Sequence, residues 1–125
     1  MNNIFEPGTL VCASYKTFDG SKKPGIFFIV YDEALDASHI HTNNVLCFKC
    51  TTSHSVVGNY TVALDPEFVT FLENPTIAAC SKLHTLEKKQ IFKVLGKVDE
   101  ITFRKVYKEY ERFNQETCRQ MRSEL

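Results

Sequence analysis

The fold of this chain is decided by residues 77–98, IAACSKLHTLEKKQIFKVLGKV. Apolar segments that begin at Ile77 and Ile91 flank the charged turn Glu87-Lys88-Lys89, which predicts two β-strands joined by a tight polar turn. Gly96 is expected to end the last of these strands, because glycine weakens a strand interior. Since strands need partners, we expect this segment to pair with the strands that precede it.

Upstream of this segment the sequence predicts a series of short strands. Residues 9–13, 45–50 and 60–64 are rich in β-branched or other apolar side chains, which favour strands. Residues 25–31, GIFFIVY, are continuously apolar and therefore predict a central strand buried on both faces. The polar residues 16–24 contain breaker residues and predict an exposed loop.

A C-terminal helix is predicted from about residue 99 to about residue 122. Its apolar stripe recurs at spacings of three and four residues and consists of Ile101, Phe103, Val106, Tyr107, Tyr110 and Phe113. Asp99 can cap the helix, because its carboxylate can accept a hydrogen bond from the first turn. The pattern predicts a mainly β protein with a C-terminal α-helix, a small bent β-barrel closed by that helix.

Length and composition narrow the functional classes. The 125 residues predict one domain over 1–125, with the barrel at about 7–98. Lys and Arg number 15 and Asp and Glu also 15, so no global field favours nucleic acid or an anionic membrane. No apolar run approaches the about 20 residues of a membrane span. The five cysteines have no framework spacing, which indicates reduced thiols and a cytoplasmic protein.

Four stretches along the chain, taken in their order and spacing, carry a family resemblance. They are PGTLV (residues 7–11), KP followed by the apolar strand (23–30), CFKCTT (47–52) and KLHTL (82–86). Together they resemble the MazF/PemK (Kid/CcdB-like) toxin family, over about residues 7–113. The resemblance implies an SH3-like small barrel that forms a homodimer.

The resemblance also implies a function. Family members are toxins of type II toxin–antitoxin systems that cut single-stranded RNA at short sequences, without a metal or other cofactor. The ribose 2′-OH attacks its own phosphate, so the site must supply a base, an acid and positive charge or N–H donors. A cognate antitoxin is expected to lay a disordered segment over the RNA groove.

Candidate site residues follow from the same resemblance. Lys23 stands where the family has an arginine at a loop-to-strand junction, and Thr51 stands at the family's threonine; both are predicted to be catalytic. The predicted RNA-binding residues are Lys22, Thr52, Ser81 and His84. His84 replaces a family arginine and could titrate near neutrality, acting as an acid or a base.

Departures from the family pattern keep a second interpretation open. Lys23 supplies charge but not the planar fork of arginine, and Ser81 stands where several relatives have a carboxylate. The chain could therefore be a catalytically inactive relative whose barrel binds protein or nucleic acid. A gyrase-directed toxin shares the fold, but residues 119–125 give no signal for that activity.

A zinc site is the remaining alternative. Cys47 and Cys50 lie near His39, His41 and His54 in the sequence. Structural zinc, however, usually has a second close pair of ligands, and strand residues three apart point to opposite faces. No metal site is therefore predicted.

Overall fold

The computed structural model of the chain describes residues 4–36, 43–52 and 60–123. Its strands form one antiparallel seven-stranded sheet, which a long helix follows. The elements are β1 (Thr9–Lys16), β2 (Lys22–Asp32), β3 (Asn44–Thr51), β4 (Thr61–Leu64), β5 (Thr76–Ala79), β6 (His84–Glu87), β7 (Ile91–Lys97) and α1 (Glu100–Ser123). The predicted mainly β fold with a C-terminal helix is confirmed.

Residues 77–98 supply most of β5 and all of β6 and β7, three strands rather than the two predicted. The strand order shows how they organise the sheet. The order is β4-β5-β3-β2-β1-β7, and β6 pairs with β3 beside β5. Cys50 and Thr51 pair with β5, whereas β3 residues from Asn44 to Cys47 pair with β6. β7 instead pairs with β1. Residues 77–98 therefore supply partners to both β3 and β1, which precede them in the chain, as expected. The sheet is open along this path, since β4 and β7 do not pair within the described residues.

The β1–β2 hairpin is longer than the sequence predicted. Lys22 and Lys23 were expected in an exposed loop, but they lie in β2, opposite Lys16 and Tyr15. The loop is short because the Asp19 carboxylate accepts hydrogen bonds from the backbone N–H of Ser21, at 3.0 Å, and from its hydroxyl, at 2.6 Å. These local bonds close the turn, so both strands continue up to it.

Gly96 does not end its strand, contrary to the prediction. It pairs with Leu10 inside β7, which continues to Lys97. A Cβ atom at Gly96 would lie 2.7 Å from Cδ1 of Phe71. The glycine therefore admits the Phe71 ring against the strand, which is another recognised reason for glycine inside a strand.

Hydrophobic clusters cover both faces of the sheet. The first cluster lies between the sheet and α1 and includes Leu10, Phe28, Phe48 and Val106. The second cluster consists of Val11, Ala13, Phe27, Ile29, Val45, Cys47 and Leu86, with Phe5, Tyr15 and Ile91 packed against it. Successive β2 residues serve opposite faces, which is why residues 27–30 are all apolar.

The helix begins where the sequence predicted, but its buried apolar stripe contains fewer residues than predicted. The backbone N–H of Thr102 donates to Asp99 at 2.7 Å, so Asp99 caps the first turn. The buried and half-buried aromatic or aliphatic side chains are Phe103, Val106, Tyr110 and Phe113. Ile101 was predicted to belong to the stripe, but it is 68% exposed, because it lies on the far side of the first turn from Phe103.

A buried ion pair fixes the turn between β6 and β7. Asp32 is fully buried, and its Oδ2 lies 2.8 Å from Nζ of Lys88. Lys88 belongs to the 3₁₀ turn that joins these strands. The same carboxylate accepts hydrogen bonds from the backbone N–H groups of Phe5 and Ala34, at 2.8 and 3.0 Å. Because a buried charge must be compensated, this network ties the start of the chain, β2 and the turn together.

The cysteines do not form a converging pair. All five are free, and Cys47 and Cys50 lie in the second and first clusters, on opposite faces of the sheet. Burial raises the pKa of the Cys47 thiol to about 12. No group of three potential metal ligands occurs within residues 4–36, 43–52 and 60–123. His39, His41 and His54 lie outside the described residues.

Among the described residues, no helix is both long enough and apolar enough to span a membrane.

Candidate functional site

A cleft of about 630 Å³ opens where the end of β3 meets β1, β2 and the segment that joins β5 to β6. We call it the main cleft; its lining residues are Tyr15, Pro24, Gly25, Ile26, Lys49, Cys50, Thr51, Thr52, Ala79, Lys82 and His84. Thr51 and Thr52 enter it because β3 ends there, and His84 enters it because β6 begins there. The cleft therefore combines hydroxyl, ammonium and imidazole groups.

Tyr15 and Lys49 form one wall of the main cleft. The Tyr15 ring contacts Phe27 edge to face, with the ring centroids 5.8 Å apart. Nζ of Lys49 lies 4.1 Å from the centroid of the Tyr15 ring. A Cβ at Gly25 would lie 2.8 Å from Cε1 of Tyr15, so only glycine lets the ring lie against β2. This cation–π contact holds the ammonium group at the cleft without neutralising it.

The main cleft is locally basic in a chain of zero net charge. Lys49 and Lys82 line it, whereas no Asp or Glu does so among the described residues. Neither lysine forms an ion pair with another described residue. An anionic ligand would therefore meet uncompensated positive charge in a partly desolvated site, where Coulomb attraction is stronger than in water.

His84 lies between these charges and the second cluster. Its ring meets Phe27 edge to face, with the centroids 6.4 Å apart. Burial lowers the pKa of His84 below 6.5, and the charges of Lys82 and Lys49 lower it further. The imidazole is therefore neutral near neutral pH and has a nitrogen available to accept a proton.

The structure brings some of the predicted site residues together. Thr51, Thr52 and His84 all line the main cleft. Lys23 is exposed and does not line it, but it lies directly opposite Tyr15, and directly opposed residues point to the same face of a sheet. Its side chain is therefore at the margin of the cleft.

Two other predicted residues lie outside the main cleft. Lys22 lines a separate depression of about 670 Å³, together with Lys16 and Lys89. Ser81 is half-buried in the turn that follows β5, and it is not among the residues that line either depression. Lys22 therefore adds positive charge to the neighbouring surface, whereas Ser81 has no cleft contact.

Sequence reasoning missed Tyr15, Lys49 and Lys82. Lys49 could have been found, because it lies two residues before Thr51 on a predicted strand and must share its face. Lys82 was within the quoted KLHTL segment, two residues before His84. Tyr15 gave no signal, because the first strand was predicted to end at residue 13.

Comparisons with solved structures identify the class of fold. An endoribonuclease from a mycobacterial species matches 90% of this chain and 93% of its own, with 19% identity and a TM-score of 0.67. A mycobacterial endoribonuclease in complex with its cognate antitoxin matches 86% of this chain and 92% of its own, at 21% identity and a TM-score of 0.61. The toxin MazF-mt6 of Mycobacterium tuberculosis matches 84% and 96%, at 15% identity and a TM-score of 0.62.

The chain therefore has the fold of MazF toxins, and the resemblance inferred from its sequence is confirmed at the level of the fold. No family model matches the chain, and no curated protein does.

Proposed function

We propose that this chain is a toxin of a type II toxin–antitoxin system that cuts single-stranded RNA at specific sequences. One observation carries the proposal: on a MazF fold, His84 lies beside two lysines in a cleft that no described carboxylate lines, where burial and the lysines lower its pKa. RNA is the polyanion that such a cleft suits, and its 2′-OH is the nucleophile that a neutral imidazole can activate.

The proposed mechanism assigns a role to each group in the main cleft. His84 takes the proton from the 2′-OH, which attacks the adjacent phosphorus and leaves a cyclic phosphate. The ammonium groups of Lys49 and Lys82 stabilise the negative charge that develops on the phosphoryl oxygens. Thr51 directs its hydroxyl at the same phosphate. The 5′ oxygen departs as a hydroxyl with a proton from water, and His84 returns to water the proton that it took from the 2′-OH. No step requires a metal.

The other predicted residues have supporting roles in this proposal. Lys23 meets a phosphate at the margin of the main cleft, on the face shared with Tyr15. Thr52 contacts the RNA inside the cleft, and Lys22 contacts its backbone further along the surface. Ser81 acts indirectly, because it belongs to the turn that positions Lys82.

The inactive binding module is the competing interpretation. A lysine at position 23 lacks the bidentate geometry of arginine, but Lys49 and Lys82 supply the charge that this departure removes. A base is present in His84. A base and positive charge are therefore both present without the family's arginine, which favours the enzyme.

Partners and assembly belong to the same proposal. A mycobacterial endoribonuclease of this fold has been solved with its cognate antitoxin, and we propose that an antitoxin segment covers the main cleft here. A homodimer is supported by the edge strand β7, which exposes the side chains of Phe92 and Val94. Light scattering tests this assembly, and a monomer at micromolar concentration would contradict it.

We also propose that the sheet bends into an SH3-like barrel, a detail that the strand order alone does not give. An SH3-like barrel is supported by the second cluster, because side chains of β1, β2, β3 and β6 converge there and the sheet must bend around it. We also propose that residues 1–125 form one domain that acts in the cytoplasm, where its five free cysteines would stay reduced.

The test is induced expression in a bacterial host, with primer extension on total RNA. Wild type is expected to arrest growth and to create new 5′ ends at one short sequence. The purified protein should cut the same sequence in the presence of a chelator and leave 5′-hydroxyl ends. Thr51→Val should abolish or strongly reduce both effects, and Lys23→Ala should reduce them, while circular dichroism stays unchanged.

Lys105→Ala is the matched control for Lys23→Ala, because it removes the same charge from an exposed position on α1. It should remain fully toxic. Healthy growth and intact RNA with soluble, folded wild type would instead support the binding module. A fully toxic Thr51→Val variant would remove Thr51 from the site.

A further inference from the structure

A second cleft continues from the main cleft toward the tip of the β1–β2 hairpin. It has a volume of about 510 Å³ and shares Tyr15, Lys49, Lys82 and His84 with the main cleft. Beyond these it is lined by Lys16, Thr17, Phe18, Phe27, Thr85, Leu86 and Gln90. We call it the hairpin cleft. Because the shared residues form a common wall, one ligand can occupy both clefts.

Phe18 is the unexplained residue of the hairpin cleft. Its relative exposure is 109%, so it is fully exposed and contributes nothing to the core. The turn that carries it closes without it, through the Asp19 carboxylate and a hydrogen bond of 2.8 Å from the Thr17 N–H to the Ser21 carbonyl. Hydrogen bonds from the Ser21 hydroxyl, the Thr17 hydroxyl and the Ser21 N–H lower the pKa of Asp19 to about 2, so the turn keeps its charge-assisted bonds at physiological pH.

The surroundings of Phe18 are those of a site for an anion with a flat apolar part. Lys16, Lys49 and Lys82 line the hairpin cleft, and no described Asp or Glu does. None of these lysines forms an ion pair with a described residue. Aromatic rings beside a positively charged groove are how proteins hold single-stranded nucleic acid, since every base has a face that can stack.

We infer that the hairpin cleft is a second nucleotide subsite, in which Phe18 stacks on a base next to the cleaved step and Lys16 meets its phosphate. This inference rests on the proposed function, which concerns only the main cleft. The hydrogen bonds of the turn fix the backbone at Phe18, so less backbone conformational entropy is lost when a base stacks on its ring.

The absence of tryptophan from the chain permits a direct test. Phe18→Trp introduces a sole tryptophan at the proposed subsite, and stacking of a base on its indole should quench its fluorescence. The probe is a single-stranded RNA of about 12 nucleotides, a typical site size, with randomised sequence and 2′-O-methyl riboses that prevent cleavage. Phe68→Trp is the matched control, because Phe68 is 76% exposed but does not line the main cleft, the hairpin cleft or the depression at Lys22.

Titration with this RNA should quench Phe18→Trp and leave Phe68→Trp unchanged. Phe18→Ala should weaken binding roughly 5- to 150-fold, the range for loss of one stacked base. Phe18→Tyr should retain wild-type affinity, and Phe68→Ala should have no effect.

The outcomes separate this inference from the proposed function. Unchanged affinity of Phe18→Ala, together with an unquenched Phe18→Trp, would overturn the subsite even if wild type cleaves RNA. Folded wild-type protein that fails to bind the probe would overturn the subsite directly, while the cleavage assay in cells decides the function of the main cleft by itself. A Phe18→Leu variant with full affinity would also overturn it, because leucine keeps apolar contact but cannot stack.

Discussion

The cleft side of the molecule and the exposed side of helix α1 hold their charges in opposite ways. On α1, Arg104 lies 2.6 Å from Glu100, and Arg112 pairs with Glu109 at 2.9 Å and with Glu116 at 3.3 Å. In the clefts, Lys16, Lys49 and Lys82 have no described carboxylate beside them. A net charge of zero over the whole chain is therefore compatible with a locally basic cleft, and it does not argue against a polyanionic ligand.

Aromatic residues divide in the same way. On the helix side, Phe103 stacks on Phe28 at 6.0 Å and Tyr110 packs on Phe48 at 5.3 Å, so these rings stabilise the core. On the cleft side, Phe18 is fully exposed. If the comparison is correct, changes on the cleft side should affect RNA chemistry, and changes on the exposed helix surface should not.

The largest expected effect is that of His84→Gln. Loss of a general base typically slows a reaction roughly 100- to 10,000-fold, so kcat should fall by this factor while KM changes little. Single-turnover cleavage of a target RNA gives both constants. Lys108→Gln on α1 is the control, and retention of kcat by His84→Gln would exclude the imidazole as the base.

The double variant Lys49→Gln, Lys82→Gln should come next in size. Each lysine that contacts a single-stranded phosphate contributes roughly 0.7 to the slope of log affinity against log salt concentration. The slope should therefore fall by about 1.4, with weaker RNA binding at low salt. Fluorescence anisotropy across a salt series measures it. Lys105→Gln, Lys108→Gln removes the same charge from α1, and an equal loss there would break the comparison.

A smaller effect is expected on the pH dependence of cleavage. Only the neutral imidazole is a base, so activity should be lost as the pH falls through the pKa of His84. Because burial, Lys82 and Lys49 lower that pKa, the acid limb should lie below 6.5. Lys82→Gln removes one of the lowering charges and should move the limb toward higher pH. NMR titration of the His84 ring provides the matching direct measurement; an unmoved limb and ring pKa would contradict this account.

The smallest effect is expected from Arg104→Gln. Its pair with Glu100 is exposed, and such pairs contribute less than about 1 kcal/mol. Urea denaturation should show a correspondingly small loss of stability, and RNA affinity should stay at the wild-type value. A marked loss of affinity would mean that the exposed surface of α1 takes part in binding.

Much of the fold could be predicted because local patterns decide it. Residues 27–30 form a central strand since they are apolar on both faces, and Asp99 caps α1 as its side chain dictates. The hairpin length could not be predicted, since the bonds of Asp19 close a turn that composition alone presents as a long polar loop. The role of Gly96 depends on Phe71, a contact that no local pattern contains.

The sequence by itself determined the strands, the helix and the order of motifs that resembles the MazF/PemK family, because hydrophobic periodicity and capping act over a few residues. It also pointed to Thr51, Thr52 and His84, all of which line the main cleft. Only the tertiary structure decided that Tyr15, Lys49 and Lys82 join them. The physical reason is that β1, β3 and the segment before β6 are distant in sequence, and only strand pairing brings their side chains together.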